Sequence, residues 1–194
     1  MRRIAAALFA ALLGACASSP GADAPDPAPQ ARTAWIVSGD GRAIGQAHFT
    51  PAPSGTLIRL EFSERALPAG WHGLHLHTRG DCSDFANGFE ASGGHLGMGD
   101  RISHGLLHPN GPETGDLPNL FAPPSGIFAA EFFSPYTVLA SQRISGNAST
   151  PAREALLDTD GTALLIHAGP DDQITQPIGG AGARIACAAL TTLP

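Results

Sequence analysis

The chain has no lysine and few charged side chains of any kind. All eleven of its basic residues are arginines, and charged residues make up only 14% of its 194 residues. Because its formal net charge is −6, the chain lacks the basic surface typical of nucleic-acid binding, and we expect no nucleic-acid partner. No segment has the periodicity of a long amphipathic helix. The 24 glycines and 17 prolines favour a turn-rich β protein instead.

The apolar run near the N-terminus is too short to cross a bilayer as a helix. Residues 4–15 follow Arg2 and Arg3 and have the length of a signal-peptide core. The run ends in Leu-Gly-Ala-Cys, which resembles the lipobox of bacterial lipoproteins. We predict a signal peptide over residues 1–15 and a lipid anchor on Cys16. An ordinary secretory signal followed by a coincidental cysteine is the alternative.

The next segment has the composition of a linker. Residues 16–32 are rich in Pro, Ala and Ser without apolar periodicity, which predicts a disordered tether, with an ordered surface arm as the alternative. Residues 33–194 then form the folded domain. We expect a periplasmic protein that is lipid-anchored to a bacterial membrane, and the outer membrane is favoured. Without Arg2 and Arg3, the mature chain keeps nine basic against 17 acidic residues, a net charge of −8.

Cysteine is scarce, and the three cysteines are an odd number for an exported protein. If Cys16 carries lipid, Cys82 and Cys187 remain and can form a disulfide, which an oxidising compartment permits. The alternative is a pair of free, buried thiols.

Short alternating segments separated by turn residues predict an all-β domain of about eight strands, either a sandwich or a closed Greek-key barrel. The strands are predicted at residues 33–37, 43–50, 56–62, 71–77, 127–133, 136–143, 163–167 and 184–190. Between them, residues 78–126 are mostly loop. So long a loop is uncommon in a compact domain unless it is functional. We therefore predict that a metal ion and a disulfide hold it in place.

Histidines cluster around this loop. His75 and His77 are two residues apart on a predicted strand, so both rings point to one face, roughly 7 Å apart along the chain. His167 ends another apolar strand, and His95 follows two glycines whose backbone freedom lets a ring enter a tight site. The loop also carries His104 and Asp116. Ligands rich in imidazole and poor in thiolate favour zinc or copper.

The order and spacing of these motifs resemble the bacterial copper/zinc superoxide dismutases over about residues 33–190. The matching segments are 72–77 (HGLHLH), 80–83 (GDCS), 92–95 (SGGH), 104–105 (HG), 115–119 (GDLPN), 166–172 (IHAGPDD) and 180–187 (GAGARIAC). The resemblance implies an eight-stranded, immunoglobulin-like Greek-key barrel or sandwich with long metal-binding and active-site loops. It also implies the conversion of superoxide to oxygen and hydrogen peroxide by alternating reduction and oxidation of copper.

The resemblance assigns a role to each matching residue. The implied copper ligands are His75, His77, His95 and His167. The implied zinc ligands are His95, His104 and Asp116. Asp171 would link the two metal sites from behind, and Cys82 and Cys187 would form the family disulfide. Arg184 would guide the anionic substrate, and His95 would bridge the metals, release copper on reduction and carry a proton.

One position departs from the family pattern. The family has a histidine three residues before the zinc aspartate, where this chain has Glu113. A carboxylate binds zinc at about the distance of an imidazole, so we expect Glu113 to be a zinc ligand, with a weakened or empty zinc site as the alternative. His108 nearby is a candidate to compensate for the added negative charge. The departure also motivates a second hypothesis, a copper-buffering periplasmic lipoprotein with little turnover.

Overall fold

The fold is described from a computed structural model that covers residues 30–97 and 102–191. The predicted signal peptide, Cys16 and nearly all of the predicted tether lie outside the described residues. The strands, in chain order, are β1 (Arg32–Ser38), β2 (Ala43–Ala52), β3 (Gly55–Phe62), β4 (Gly70–His72), β5 (Leu74–His77), β6 (Leu120–Ala122), β7 (Phe128–Ser134), β8 (Thr137–Val138), β9 (Glu154–Ala155), β10 (Thr162–His167) and β11 (Arg184–Leu190). Within the described ranges, none of the helices is both long and apolar enough to cross a membrane.

Seven of these strands form one antiparallel sheet in the order β5-β10-β11-β1-β2-β3-β7. Residue alternation explains how the sheet covers the core. On β3, Ile58 and Leu60 are fully buried while the alternate residues Arg59 and Glu61 are exposed, because successive side chains of a strand point to opposite faces. The all-β prediction is confirmed.

Two of the strands, β5 and β10, are buried on both faces. Leu74 and Leu76 of β5 join the main hydrophobic core, so the two histidines between and after them lie on the other face. That outer face is covered by the long loop that follows β5. Over the described part of residues 78–126, the regular elements are two single-turn 3-10 helices, Phe85–Asn87 and Glu90–Ser92, and the short strand β6, so the prediction that this segment is mostly loop is confirmed.

The structure differs from the predicted strands at two places. The predicted strand at 71–77 is divided at Gly73, whose N–H donates to the Gly169 carbonyl 2.8 Å away and so leaves the ladder. β4 before this break pairs with β6 rather than with the main sheet. The predicted strand at 136–143 is reduced to β8, which pairs in parallel with β9. After β8 the strand does not continue, and the Ala140 carbonyl accepts a hydrogen bond from the Leu157 N–H.

A disulfide between Cys82 and Cys187 fastens the long loop to β11. The two Cα atoms are 5.8 Å apart and the residues are 105 positions apart in sequence. Cys187 is fully buried in a small apolar cluster with Phe89, Ala163 and Leu165 on the outer face of the sheet. The cross-link therefore holds the start of the loop close to the histidines of β5.

Candidate metal centre

Two strands and one long loop supply the ligands of the predicted metal site. His75 and His77 lie on β5, and His167 ends the neighbouring strand β10. The loop returns alongside β5, where isolated bridges pair His77 with His95 and His75 with Asp116. This backbone pairing brings together ligands that are far apart in the sequence.

Glycines allow the loop to approach β5 so closely. The Gly115 carbonyl accepts a hydrogen bond from the Leu76 N–H at 2.9 Å, and a Cβ on Gly115 would collide with the Leu76 carbonyl oxygen. Gly93 has a φ of 78°, in the left-handed region that glycine tolerates without strain. The expectation that glycine before His95 lets this ring enter a tight site agrees with that conformation.

Four histidines form one buried cluster on the outer face of the sheet. The ligand atoms offered by His75, His77, His95 and His167 lie within 4.8 Å of one another, and each residue is at most 1% exposed. One nitrogen of each ring, Nδ1 of His75 and Nε2 of the other three, has no hydrogen-bond partner among the described residues. Buried polar atoms without a partner are costly. A metal ion bound by these four nitrogens would remove that cost.

The opposite nitrogens of these rings are held by the protein. His77 Nδ1 donates a hydrogen bond to the Gly93 carbonyl at 2.9 Å, and His167 Nδ1 donates to the Gly182 carbonyl at 2.9 Å. A proton on Nδ1 leaves a lone pair on Nε2, which is the form of the ring that binds a metal. The backbone thus selects the tautomer and orients the free nitrogen.

A second cluster combines two histidines with two carboxylates. His95 Nδ1 is 3.0 Å from Glu113 Oε2 and 3.7 Å from Asp116 Oδ1. His104 Nδ1 is 2.7 Å from Asp116 Oδ1 and 3.8 Å from Glu113 Oε2. Donors around a tetrahedral zinc ion, with bonds of about 2.0–2.1 Å, are roughly 3.3 Å apart. The four measured separations bracket that value, so the donor set fits zinc.

His95 belongs to both clusters. Its Nε2 is one of the unpaired nitrogens of the first cluster, and its Nδ1 faces the carboxylates of the second. His75 also lies within 4.8 Å of His95, His104 and Asp116. However, its Nε2 donates to Asp171 at 2.8 Å, so its remaining nitrogen is available only to the four-histidine cluster.

Asp171 contacts one histidine ring of each cluster, on the ring nitrogen that faces away from the other ligands. Its Oδ2 accepts from His75 Nε2 at 2.8 Å and lies 3.1 Å from His104 Nε2. Asn119 fixes the backbone of Asp171 twice, donating to its carbonyl at 2.8 Å and accepting from its N–H at 2.9 Å. A buried carboxylate shared by both rings orients one ligand of each cluster at the same time.

Burial keeps three rings of the first cluster, those of His75, His77 and His167, neutral. Loss of solvation lowers the pKa of His77 to about 2 and that of His167 to about 4. Burial also lowers the pKa of His75, although the carboxylate of Asp171 opposes the shift. Neutral imidazoles keep the lone pair that a metal requires, so these three rings are ready to bind a cation near neutral pH.

The second cluster is charged. Burial alone would lower the pKa of His104, but hydrogen bonds with Asp116, Asp171 and Glu113 outweigh it and raise the pKa to about 11. Burial likewise opposes ionisation of Asp116, yet its bonds from His104, His95 and the Gly105 N–H hold its pKa below the usual range. A divalent cation would therefore replace protons on the two rings while the carboxylates stay ionised.

Arg184 lies next to the first cluster. Its Nη1 donates to the Phe89 carbonyl at 2.8 Å and its Nη2 to the Gly93 carbonyl at 3.0 Å. The Gly93 carbonyl is the same group that accepts from His77 Nδ1. The guanidinium and the His77 ring of the four-histidine cluster therefore donate to the same carbonyl group. The Arg184 side chain is 18% exposed.

The sequence matches the family model for copper/zinc superoxide dismutases over residues 43–190. This chain belongs to that family. It is 44% identical over 155 residues to the copper/zinc superoxide dismutase of Caulobacter vibrioides, covering 80% of this chain and 82% of that relative.

Solved structures of similar proteins have the same fold. A superoxide dismutase-like protein from Bacillus subtilis is 30% identical, with a TM-score of 0.67 over 81% of this chain and 97% of that chain. The copper/zinc superoxide dismutase of Brucella abortus is 26% identical, with a TM-score of 0.58 over 82% of this chain and 99% of that chain. The predicted family and its β-barrel architecture are confirmed.

Copper and zinc are accordingly the metals of this family member. The four-imidazole cluster suits copper, and the cluster of two imidazoles and two carboxylates suits zinc. His108 takes part in neither group of ligands that the described residues form, and its Nδ1 accepts a hydrogen bond from the Asn110 N–H at 3.1 Å.

The structure adds two glutamines that the sequence did not indicate. Gln176 pairs with the backbone of His104, accepting from its N–H at 3.0 Å and donating to its carbonyl at 2.8 Å. Gln173 accepts from the Leu106 N–H at 3.1 Å. Both side chains hold the loop segment that carries a zinc-cluster histidine. Glutamine has no motif of its own here, and only the approach of two distant loops reveals its role.

Proposed function

We propose that this chain is a superoxide dismutase that uses the four-histidine cluster as its copper site. Four unpaired, buried ring nitrogens that converge in a member of this family carry the proposal. Copper, when bound, supplies the one-electron chemistry that converts superoxide to oxygen and hydrogen peroxide. The protein supplies the ligands, a buried pocket that holds their rings, and a cation beside it.

We assign His75, His77, His95 and His167 to copper, and His95, His104, Glu113 and Asp116 to zinc. His95 Nδ1 faces the carboxylate of Glu113 while its Nε2 is unpaired in the four-histidine cluster, and this arrangement supports its place as the bridge between the metals. Its Nε2 faces the copper cluster, so a proton carried on that atom would lie where the reduced substrate needs one. Asp171 supports both sites by holding His75 and His104.

Reconstitution tests the proposed function directly. Purified protein would be loaded with copper and zinc, its metal content measured, and superoxide consumption followed by pulse radiolysis. We expect one copper per chain and rapid turnover. Copper bound without turnover would instead indicate a copper-buffering protein, the function that the comparisons do not favour.

Replacing Arg184 with alanine is expected to slow superoxide consumption about tenfold at low ionic strength. The mature chain has a predicted net charge of −8, and the guanidinium offsets that repulsion at the copper cluster. The rate would be measured by pulse radiolysis across a range of salt concentrations. The loss should shrink as salt screens the charge.

Arg184 also donates to the Phe89 carbonyl, so copper content must be measured in the same preparations. Lysine at this position serves as the matched control, because it keeps the charge but loses the two-pronged hydrogen bonding. Equal rates for the alanine variant and the unchanged protein at low salt would remove Arg184 from substrate guidance.

Replacing Glu113 with glutamine is expected to weaken zinc binding by more than about 100-fold, because loss of even an outer partner of a ligand costs about 10–100-fold. The carboxylate is buried, and its Oε2 lies 3.0 Å from His95 Nδ1. Competition with a chromophoric chelator would measure the zinc dissociation constant. Glu113→His, which installs the usual family ligand, should restore binding. Equal zinc affinity in the glutamine variant would show that Glu113 is not a ligand.

We further propose that the protein is exported to the periplasm and tethered to the membrane through a lipid on Cys16. The disulfide between Cys82 and Cys187 supports an oxidising compartment and leaves Cys16 as the remaining cysteine of the chain. Mass spectrometry of the mature N-terminus tests this assignment. An unmodified N-terminus that begins after residue 16 would contradict it.

A further inference from the structure

An exposed carboxylate lies beside the arginine next to the copper cluster. Glu90 Oε2 is 3.6 Å from Arg184 Nη1, and 74% of the glutamate side chain is exposed against 18% of the arginine. Glu90 begins the 3-10 turn Glu90–Ser92, three residues before Gly93, whose carbonyl anchors the guanidinium. The guanidinium that shares the Gly93 carbonyl with His77 therefore has a negative charge as its immediate neighbour.

Glu90 is not needed to hold the arginine in place. The guanidinium already donates to the Phe89 carbonyl at 2.8 Å, the Gly93 carbonyl at 3.0 Å and the Ser92 hydroxyl at 3.4 Å. At 3.6 Å the contact with Glu90 is longer than a hydrogen bond, so it acts through charge alone. Removing that charge should leave the guanidinium where it is.

We propose that Glu90 restrains the attraction of anions to the copper cluster and so sets the rate of substrate capture below the limit that Arg184 alone would allow. The inference rests on the proposed function. A guanidinium and a carboxylate side by side have almost no net charge when seen from several ångströms away. The approaching anion then meets mainly the field of a chain whose overall charge is negative.

The aspartates closest to Glu90 in sequence, Asp84 and Asp81, have backbone N–H groups as partners instead of Arg184. Asp84 Oδ2 is occupied by the Ala91 N–H at 3.0 Å, and Asp81 caps the Ser83 N–H at 2.9 Å. Among the described residues, the glutamate is the acidic side chain that forms an ion pair with Arg184. Neutralising Glu90 therefore removes the carboxylate that, among the described residues, is in direct ion-pair contact with the guanidinium.

The test compares Glu90→Gln with Glu131→Gln, a matched control. Glu131 is also an exposed glutamate, but it lies on β7, at the other edge of the seven-stranded sheet from β5. Both variants change the net charge equally. Superoxide consumption would be followed by pulse radiolysis at ionic strengths from about 10 mM to about 1 M. Azide affinity, read from the copper absorption band, gives a second measurement that needs no turnover.

We expect Glu90→Gln to consume superoxide about two- to fivefold faster at the lowest ionic strength and to bind azide tighter by a similar factor. Both gains should almost vanish near 1 M salt, where the Debye length is about 3 Å. Copper content should stay unchanged, and Glu131→Gln should match the unchanged protein in both measurements.

Equal rates and equal azide affinity for the two variants at low salt would overturn the proposal. A slower Glu90→Gln variant would also overturn it, because Glu90 would then be holding the arginine rather than masking it. Failure of the proposed function is distinguishable. The unchanged protein would then consume no superoxide when loaded with copper, whereas azide binding would still report on Glu90.

Discussion

Replacing Asp171 with alanine is expected to lower zinc affinity by about 10–100-fold and to weaken copper binding in the same protein. One carboxylate accepts from His75 of the copper cluster and contacts His104 of the zinc cluster, and both distances are close to 3 Å. Without it, each ring loses the partner on Nε2 that orients its Nδ1 toward the metal. Zinc binding and copper binding should therefore weaken together.

Chelator competition would measure the zinc affinity of the Asp171 variant, and electron paramagnetic resonance would report the geometry of bound copper. Asp160→Ala is the matched control, because it removes an exposed aspartate whose nearest basic group, Arg79, is 4.0 Å away. Loss of zinc with normal copper geometry would mean that Asp171 supports the zinc site alone. Normal binding of both metals would contradict its role at either site.

Removing the disulfide, by replacing Cys82 and Cys187 with alanine, is expected to destabilise the metal-free protein by about 2–5 kcal/mol. For a domain of this size the corresponding fall in Tm is roughly 5–15 °C. The cross-link closes a loop of 105 residues and so limits the freedom of the unfolded chain. It also packs in the apolar cluster that contains Phe89, beneath the turn that anchors Arg184.

Calorimetry of the metal-free protein provides the measurement, since bound metal would add its own stabilisation. The unchanged protein under reducing conditions is the control, because it loses the cross-link without any substitution. A Tm lowered equally by reduction and by substitution would assign the effect to the cross-link. An unchanged Tm in both cases would show that packing alone holds the loop to β11.

The regular parts of the fold were accessible from local patterns. Alternation of Ile58, Arg59 and Leu60 predicts both the strand and its buried face, because a strand has a period of two residues. The prediction over residues 136–143 was less successful. There the apolar residues form only the short strand β8, since the chain next pairs with residues that lie beyond position 153.

The sequence predicted which residues serve as metal ligands, but it did not predict the groups that hydrogen-bond to their rings. Spacing places His75 and His77 on one face of a strand, but it does not tell which nitrogen of each ring is free. The free nitrogen depends on Asp171 and Gly93, which approach from other parts of the chain. The glutamate next to Arg184 had no sequence signal at all, because 94 residues separate the two.

By itself, the sequence determined the class of fold, the imidazole-rich chemistry and the family, because strand periodicity and motif spacing are properties of short segments. Only the tertiary structure decided that Glu113 reaches His95, that Asp171 serves two clusters and that Glu90 lies beside Arg184. Those contacts arise where the long loop and the segment between β10 and β11 come together beside β5 and β11. Their geometry is set by backbone pairing and by a disulfide between segments about a hundred residues apart.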